Sequence, residues 1–425
     1  MKSNPSSQLS ANSVFNDTQV EDWRAFFPAL DQQVNGRPLI YLDNAATSLR
    51  PIQVIGAVSD YYSTINANVH RANHFLGHQS TKIYEAARQR VADFIGASSS
   101  GEIVFTKGTS ESINFAAAAL SEHVLQPGDT VILTESEHHS NMVPWIHLKQ
   151  RLGIRLEYIP VEPSGEADLS VFERILEQSP NVRLVSIAHA SNLTGAVHPI
   201  HEMTRMAKRF GALVMIDGAQ GVVHHRVDVK EIGCDFYAFS AHKMYGPMGV
   251  GVLYIKEALH EMVGPYQFGG GMIDAVHFDR VSYAAAPYKY EAGTPNVAGA
   301  AGLLAAIDFM TKTLDFDAAV TQEQMLLGHL EAGLSGIRGV SMLGQGGHPK
   351  DPIVSFYVPG VHHYDIATML DGFGVAVRAG HHCVQPLLRK WGLEGTIRAS
   401  LSFYNTKGEI DAFLKALKRV LAMLG

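Results

Sequence analysis

A layered α/β fold is the class this sequence predicts, and three observations carry the prediction. From about residue 38 to 255, short β-branched runs alternate with amphipathic stretches. The polar residues with chemical potential fall mostly in the loops after those runs, where ligands of α/β sheets collect. After Pro295 the texture changes to two long helical patterns followed by further short apolar runs, which predicts a second, smaller α/β unit.

In chain order, candidate strands lie at 102–106, 130–134, 155–161, 183–189, 212–217, 235–239 and 251–255. Helical spacing places Ile83, Ala87, Val91, Phe94 and Ile95 on one face of 80–95, with Gly96 as a stop. A second helix spans 200–210, closed by Gly211. Beyond Pro295, helices are predicted at 298–313 and 316–334, strands at 353–358, 375–378 and 397–403, and a last helix at 407–424. Residues 1–18 read as a polar, mobile tail and 19–35 as a segment that docks on the small domain. A large domain over 36–296 and a small one over 297–425 complete the division.

Composition narrows the function. The 425 residues are 46% hydrophobic and 18% charged, enough for one large core and a smaller one. A net charge of −7 with scattered Lys and Arg argues against nucleic acid or an anionic membrane as the main partner. No apolar run approaches the ~20 residues of a membrane span, and no apolar segment follows Lys2 as a secretory signal would require. Two cysteines, Cys234 and Cys383, suit neither a disulfide framework nor a four-thiolate metal site, and a cytoplasmic protein with reduced thiols is expected. The His/Cys spacings match no zinc pattern, so no metal is expected.

Four clusters carry chemistry. Asp217 ends one apolar run, and Lys243 follows the next, beside Ser240 and His242. A buried ammonium tends to lose its proton and become a nucleophile for a Schiff base, and an aspartate there could hold a pyridinium; the pair could equally be a structural ion pair. Gly108-Thr-Ser-Glu-Ser-Ile-Asn114 opens a helix, either as a phosphate seat through Thr109 and Ser110 or as an ordinary capped start. In Glu137-His-His-Ser-Asn141 one histidine could stack on a flat ring, or both could be packing residues. Arg378-Ala-Gly-His-His-Cys383 places a thiol beside two histidines, in a setting for a thiolate or as an inert buried group. Cys234, just before an apolar strand, reads as packing, and Arg398 inside a strand pattern calls for a carboxylate partner.

With these motifs assembled, the sequence resembles the class V aminotransferases, and within them the cysteine desulfurases of the Suf and Csd type. The likeness runs from Tyr41-Leu-Asp-Asn-Ala-Ala46 to the C-terminus, and includes Val69-His-Arg71 and Glu291-Ala-Gly-Thr-Pro-Asn296. The Gly-His-His-Cys form is similar to the family's second group, and Val361-His-His363 and Tyr404-Asn-Thr406 are slightly closer to the Csd branch. The resemblance implies the type I fold of pyridoxal 5'-phosphate (PLP) enzymes, with a mainly parallel seven-stranded sheet and a small C-terminal domain carrying Cys383. It implies that Lys243 holds PLP as a Schiff base, Asp217 pairs with the ring nitrogen, His138 stacks on the ring and Gln220 bonds the phenolic oxygen. Thr109 or Ser110, Ser240 and His242 would hold the phosphate, with Thr294 reaching the phosphate of a second subunit in a homodimer. Asn192, Arg378 and Arg398 would bind the amino acid, and Cys383 would take sulfur from L-cysteine as a persulfide, leaving L-alanine. A small sulfur-acceptor protein is the implied partner and iron–sulfur cluster assembly the implied context. Selenocysteine lyase and cysteine sulfinate desulfinase are the alternative activities of such a site. Asn44, Ser110 and Ala241 depart from the family pattern, and Ser110 keeps the hydroxyl it needs.

Overall fold

The computed structural model describes residues 17–71 and 73–425; the expected tail, 1–18, falls almost wholly outside them. All seven predicted strands of the first region form one sheet. Its order is Ile103–Thr106, Gly251–Ile255, Phe236–Ser240, Leu213–Asp217, Val182–Ala188, Thr130–Thr134 and Arg155–Ile159. Only Gly251–Ile255 runs antiparallel to its neighbours. The central strands are buried on both faces, which explains their unbroken apolar runs: helices cover each side of a parallel sheet. Because four of these strands are mutually parallel, the residues after Thr134, Ala188, Asp217 and Ser240 share one edge.

Polar first residues start the covering helices. Asp168 accepts the N–H groups of Ser170 and Val171, which would otherwise be orphaned at the start of Leu169–Gln178. Thr406 and Glu409 form a capping box that starts the last helix, Lys407–Leu424. In that helix Ile410, Phe413, Leu414, Leu417 and Val420 turn inward as their spacing predicts, with Leu421 at the margin of the same cluster.

The smaller sheet is antiparallel, in the order Ser341–Met342, Ile353–Tyr357, Thr396–Ser400, Arg378–Gly380. The single strand predicted over 375–378 is two. Val375–Ala376 pairs in parallel with Ile40–Tyr41, whereas Arg378–Gly380 joins Thr396–Ser400. Both pieces are short and partly apolar, so periodicity could not reveal that their partners differ. The helix predicted over 298–313 is regular across Val297–Asp308 and closes in a wider turn, Phe309–Thr313.

The N-terminal helix Asp17–Arg24 leads to Phe27, whose ring packs on Tyr245, Phe309, Phe403 and Tyr404. Arg24 adds an ion pair to Glu409 at 2.9 Å. Cys234 is buried in the large core, and burial pushes its thiol far up, in keeping with packing. Among the described residues no single helix is long and apolar enough to cross a membrane.

Histidine–carboxylate contacts also tie the helix after strand Leu213–Asp217 to later segments of the chain. His224, at the end of the short helix Gly221–His224, meets Glu323 of helix Phe316–Ser335 at 2.8 Å, and His225 meets Asp351 at 2.7 Å. Burial pushes His224 down, but the Glu323 and Asp351 carboxylates outweigh it and raise the imidazole to about 9. Stability from a raised histidine is complete below its ordinary value near 6.5 and is lost as pH rises through about 9. The melting temperature of the native chain is therefore expected to fall across that interval. His224→Gln should lower it at pH 6.5 by an amount worth on the order of 1–3 kcal/mol and flatten the slope. Calorimetric scans from pH 6 to 9.5 test this, and an unchanged slope in the variant would clear His224 of the effect.

Candidate active site

The shared carboxyl edge of the sheet opens into a cavity of about 240 Å³. Its lining includes Thr109, Ser110, His138, Asn192, Asp217, Gln220, Ser240, His242, Lys243, Arg378, Cys383 and Arg398. Eleven separated sequence candidates plus Asp217 thus meet in one place. Thr294 does not; it is exposed, in three other surface hollows.

Asp217 and Lys243 project into the cavity from adjacent strands and make no ion pair within 4.0 Å among the described residues, so the structural-pair reading does not hold. Asp217 is buried; Oδ1 accepts the Ala219 N–H at 3.0 Å, and Oδ2 has no protein partner among the described residues. Burial raises its carboxyl, against the pull of Lys243. Burial likewise pushes Lys243 down to about 8, against the pull of Asp217. An amine so placed keeps a far larger unprotonated fraction near neutral pH than an exposed lysine does, and is competent as nucleophile and base. The turn between Asp217 and Gln220 is fixed by glycine: a Cβ on Gly218 would lie 2.1 Å from the Tyr237 ring, and one on Gly221 2.2 Å from His189.

Helix Thr109–His123 aims its first turn into the cavity. The Thr109 N–H and hydroxyl both reach Ser240 Oγ, at 2.8 and 2.7 Å. Gly251 lets the backbone pass here, since its Cβ would stand 2.4 Å from Gly108 Cα. Free N–H groups, hydroxyls and the positive end of the helix dipole make this a seat for a phosphate. His138 accepts the Ser140 N–H on Nδ1 at 3.1 Å, which leaves its proton on Nε2. Burial and the Lys243 charge push it down to about 3, so a neutral ring faces the cavity. Gln220 Nε2 donates to the Ala45 carbonyl at 2.9 Å, which holds its amide at the cavity wall.

The thiol sits at the mouth. Cys383 is exposed, and both His382 and Cys383 take left-handed backbone, at φ 50° and 59°. Side-chain-bearing residues adopt that region at a cost of order 1–2 kcal/mol each. Three hydrogen bonds hold the turn: His139 N–H to the Cys383 carbonyl at 2.8 Å, Asn192 Nδ2 to the His382 carbonyl at 2.6 Å, and His382 Nε2 to the Thr396 carbonyl at 3.0 Å. Asn192, expected to bind substrate, therefore spends one N–H on the cysteine turn.

Two residues that the sequence reading passed over complete the site. Asp43 contacts both Arg378 and Arg398, each at 3.2 Å. Glu137, fully buried beside His138, accepts from Thr134 Oγ1, Asn141 Nδ2 and the Ala188 N–H, while burial raises its carboxyl to about 7. Both lay inside quoted motifs, and an acidic residue within an apolar or small-residue context was the available signal. Farther off, Arg88 grips Glu291 at 2.6 Å and so holds the segment that carries Thr294.

A carboxylate oxygen of buried Asp217 that has no protein partner among the described residues, a half-buried amine and a helix N-terminus together fit PLP. Asp217 would face the ring nitrogen, Lys243 the aldehyde carbon, and Thr109, Ser110, Ser240 and His242 the phosphate. Borohydride reduction of the chain with added PLP should therefore mark Lys243 in preference to exposed lysines, as read by peptide mass spectrometry. Lys243→Ala should lose the mark, and a label spread over surface lysines would refute the assignment.

Comparison with known proteins agrees with this geometry. The model of the aminotransferase class-V family matches residues 40–413. A probable cysteine desulfurase of Vibrio cholerae is 45% identical over 401 residues, covering 94% of this chain and 98% of the relative. The apo cysteine desulfurase of Thermococcus onnurineus superposes with a TM-score of 0.89 at 39% identity, over 95% of this chain and 98% of that one. The Escherichia coli cysteine desulfurase CsdA, in an S-sulfonic acid form, gives 0.87 at 39% identity, over 97% and 100%. The chain belongs to the aminotransferase class-V family and, within it, to the PLP-dependent cysteine desulfurases.

Proposed function

We propose that this chain removes sulfur from L-cysteine, releases L-alanine and carries the sulfur as a persulfide on Cys383 to a small acceptor protein. The observation that carries the reading is the exposed Cys383 thiol at the mouth of the same cavity that Lys243 and Asp217 line. Bound PLP supplies an electron sink that acidifies the substrate Cα–H and loosens the bond from Cβ to sulfur.

The chain's own residues do the rest. Arg378 and Arg398 hold the α-carboxylate, with Asn192 beside them, and so fix which Cα bond faces Lys243. Asp217 would hold a proton on the ring nitrogen. Lys243, lowered to about 8, takes the proton from Cα at its Nζ and returns it to carbon. His138 would stack a neutral ring on the cofactor and adds no competing cation. The Cys383 thiolate attacks the substrate sulfur; the new S–S bond forms as the carbon–sulfur bond breaks. The released electron pair goes to carbon, which is protonated and leaves as alanine. Exposure of Cys383 then lets an acceptor thiol reach the outer sulfur. The working form is a cytoplasmic homodimer in which Thr294 of each chain meets the phosphate of the other, and iron–sulfur cluster assembly is the fitting destination. Selenocysteine lyase activity shares every residue here except the need for Cys383.

Alanine and sulfide release from L-cysteine with a reductant, run beside L-selenocysteine, tests the reading. Native protein should make alanine and sulfide one for one. Cys383→Ala should lose at least about 100-fold on cysteine and keep selenocysteine turnover. Full cysteine activity in the variant would transfer the assignment to a lyase that works without the thiol.

A further inference from the structure

Arg378 and Arg398 face each other directly across two antiparallel strands, a pairing that like charges oppose. Arg398 is 2% exposed, and its Nη1 is spent on the Asn192 carbonyl at 3.0 Å while its Nε has no acceptor. Two adjacent cations in that setting need an anion already in place. Asp43 is the carboxylate in ion-pair contact with them among the described residues. Its oxygens take Arg378 Nε and Nη2 and Arg398 Nη2, each at 3.2 Å, and leave Arg378 Nη1 without a partner among the described residues. Asp43 does not line the cavity; it stands behind the pair. Its backbone is equally fixed, because the segment around it runs beside Thr396–Ser400: the Ser400 N–H bonds the Leu42 carbonyl and the Ala45 N–H bonds Ser400 Oγ.

We propose that Asp43 is the positioning residue of the substrate-carboxylate site: its single negative charge holds two opposed guanidiniums together and leaves one net positive charge for one incoming α-carboxylate. This rests on the reading that the arginine pair binds that carboxylate. Removing the charge lets the guanidiniums spread apart, which weakens recognition of the carboxylate and leaves the chemistry at Lys243 intact. Replacing Asp43 by glutamate keeps the charge with one more methylene.

The test compares native holoenzyme with D43N and D43E. D43N should raise KM for L-cysteine by about tenfold or more and leave kcat within about threefold, with D43E between it and the native value. A second readout needs no turnover: titration of the cofactor absorbance with L-alanine and with ethylamine, which lacks the carboxylate. D43N should weaken L-alanine about tenfold and leave ethylamine unchanged. Equal loss on both amines in D43N, or a native response to L-alanine, overturns the proposal. If D43N yields no folded holoenzyme, Asp43→Ser, which also removes the charge, decides on the same titration, where selective weakening of L-alanine supports the proposal and an unchanged or unselective response defeats it. A native protein that makes no alanine from cysteine would fail the desulfurase reading alone, since the titration is scored independently.

Discussion

Two ionisable groups, buried Asp217 and half-buried Lys243, stand at one edge of a parallel sheet without forming an ion pair among the described residues, and the architecture around them follows from that. Taking a carboxylate and an ammonium out of water costs several kcal/mol per ion unless partners are supplied. Here the partners are withheld: Asp217 keeps one oxygen unbonded among the described residues and Lys243 is depressed to about 8. A flat cationic heterocycle with an aldehyde satisfies both at once, which is why a protein would retain so unfavourable a pair. The sheet makes the arrangement possible because adjacent parallel strands end at the same level.

The rest of the cavity wall is recruited by chain segments that are distant in sequence. Residues 40–46 run first beside Val375–Ala376, then beside Thr396–Ser400, and finally present Ala45 to Gln220. One extended segment therefore ties the small sheet to the cofactor edge of the large one. The histidine–carboxylate contacts of His224 and His225 make a second tie from the strand-end turn that carries Asp217. With two ties, Arg398 and Cys383 of the small unit are held against Lys243 of the large one.

Cys383 shows how local strain is tolerated for chemistry. Two successive left-handed residues without glycine are unfavourable, and the turn persists because three hydrogen bonds from other elements hold it. The result is a thiol at the cavity mouth, facing both the Lys243 amine and solvent. Cys234 is the contrast: it has the same chemistry but is buried in an apolar core, where its thiol is pushed far up and inert.

The sequence by itself determined the seven-stranded sheet, because its central strands are apolar runs whose pairing in a buried parallel sheet demands that composition. It also determined the residue types of the site, since Lys243, Asp217, His138 and Cys383 stand in separated motifs that each carry chemistry. Tertiary structure alone decided what those residues do to one another. Whether Asp217 and Lys243 pair or stand apart depends on a gap of a few ångströms, and no spacing along the chain encodes it. The splitting of 375–380 between two sheets was hidden because a short strand's pattern specifies burial, not partner. Asp43 escaped notice for the same reason: its partners lie about 340 residues away in sequence, and only folding brings a carboxylate between Arg378 and Arg398.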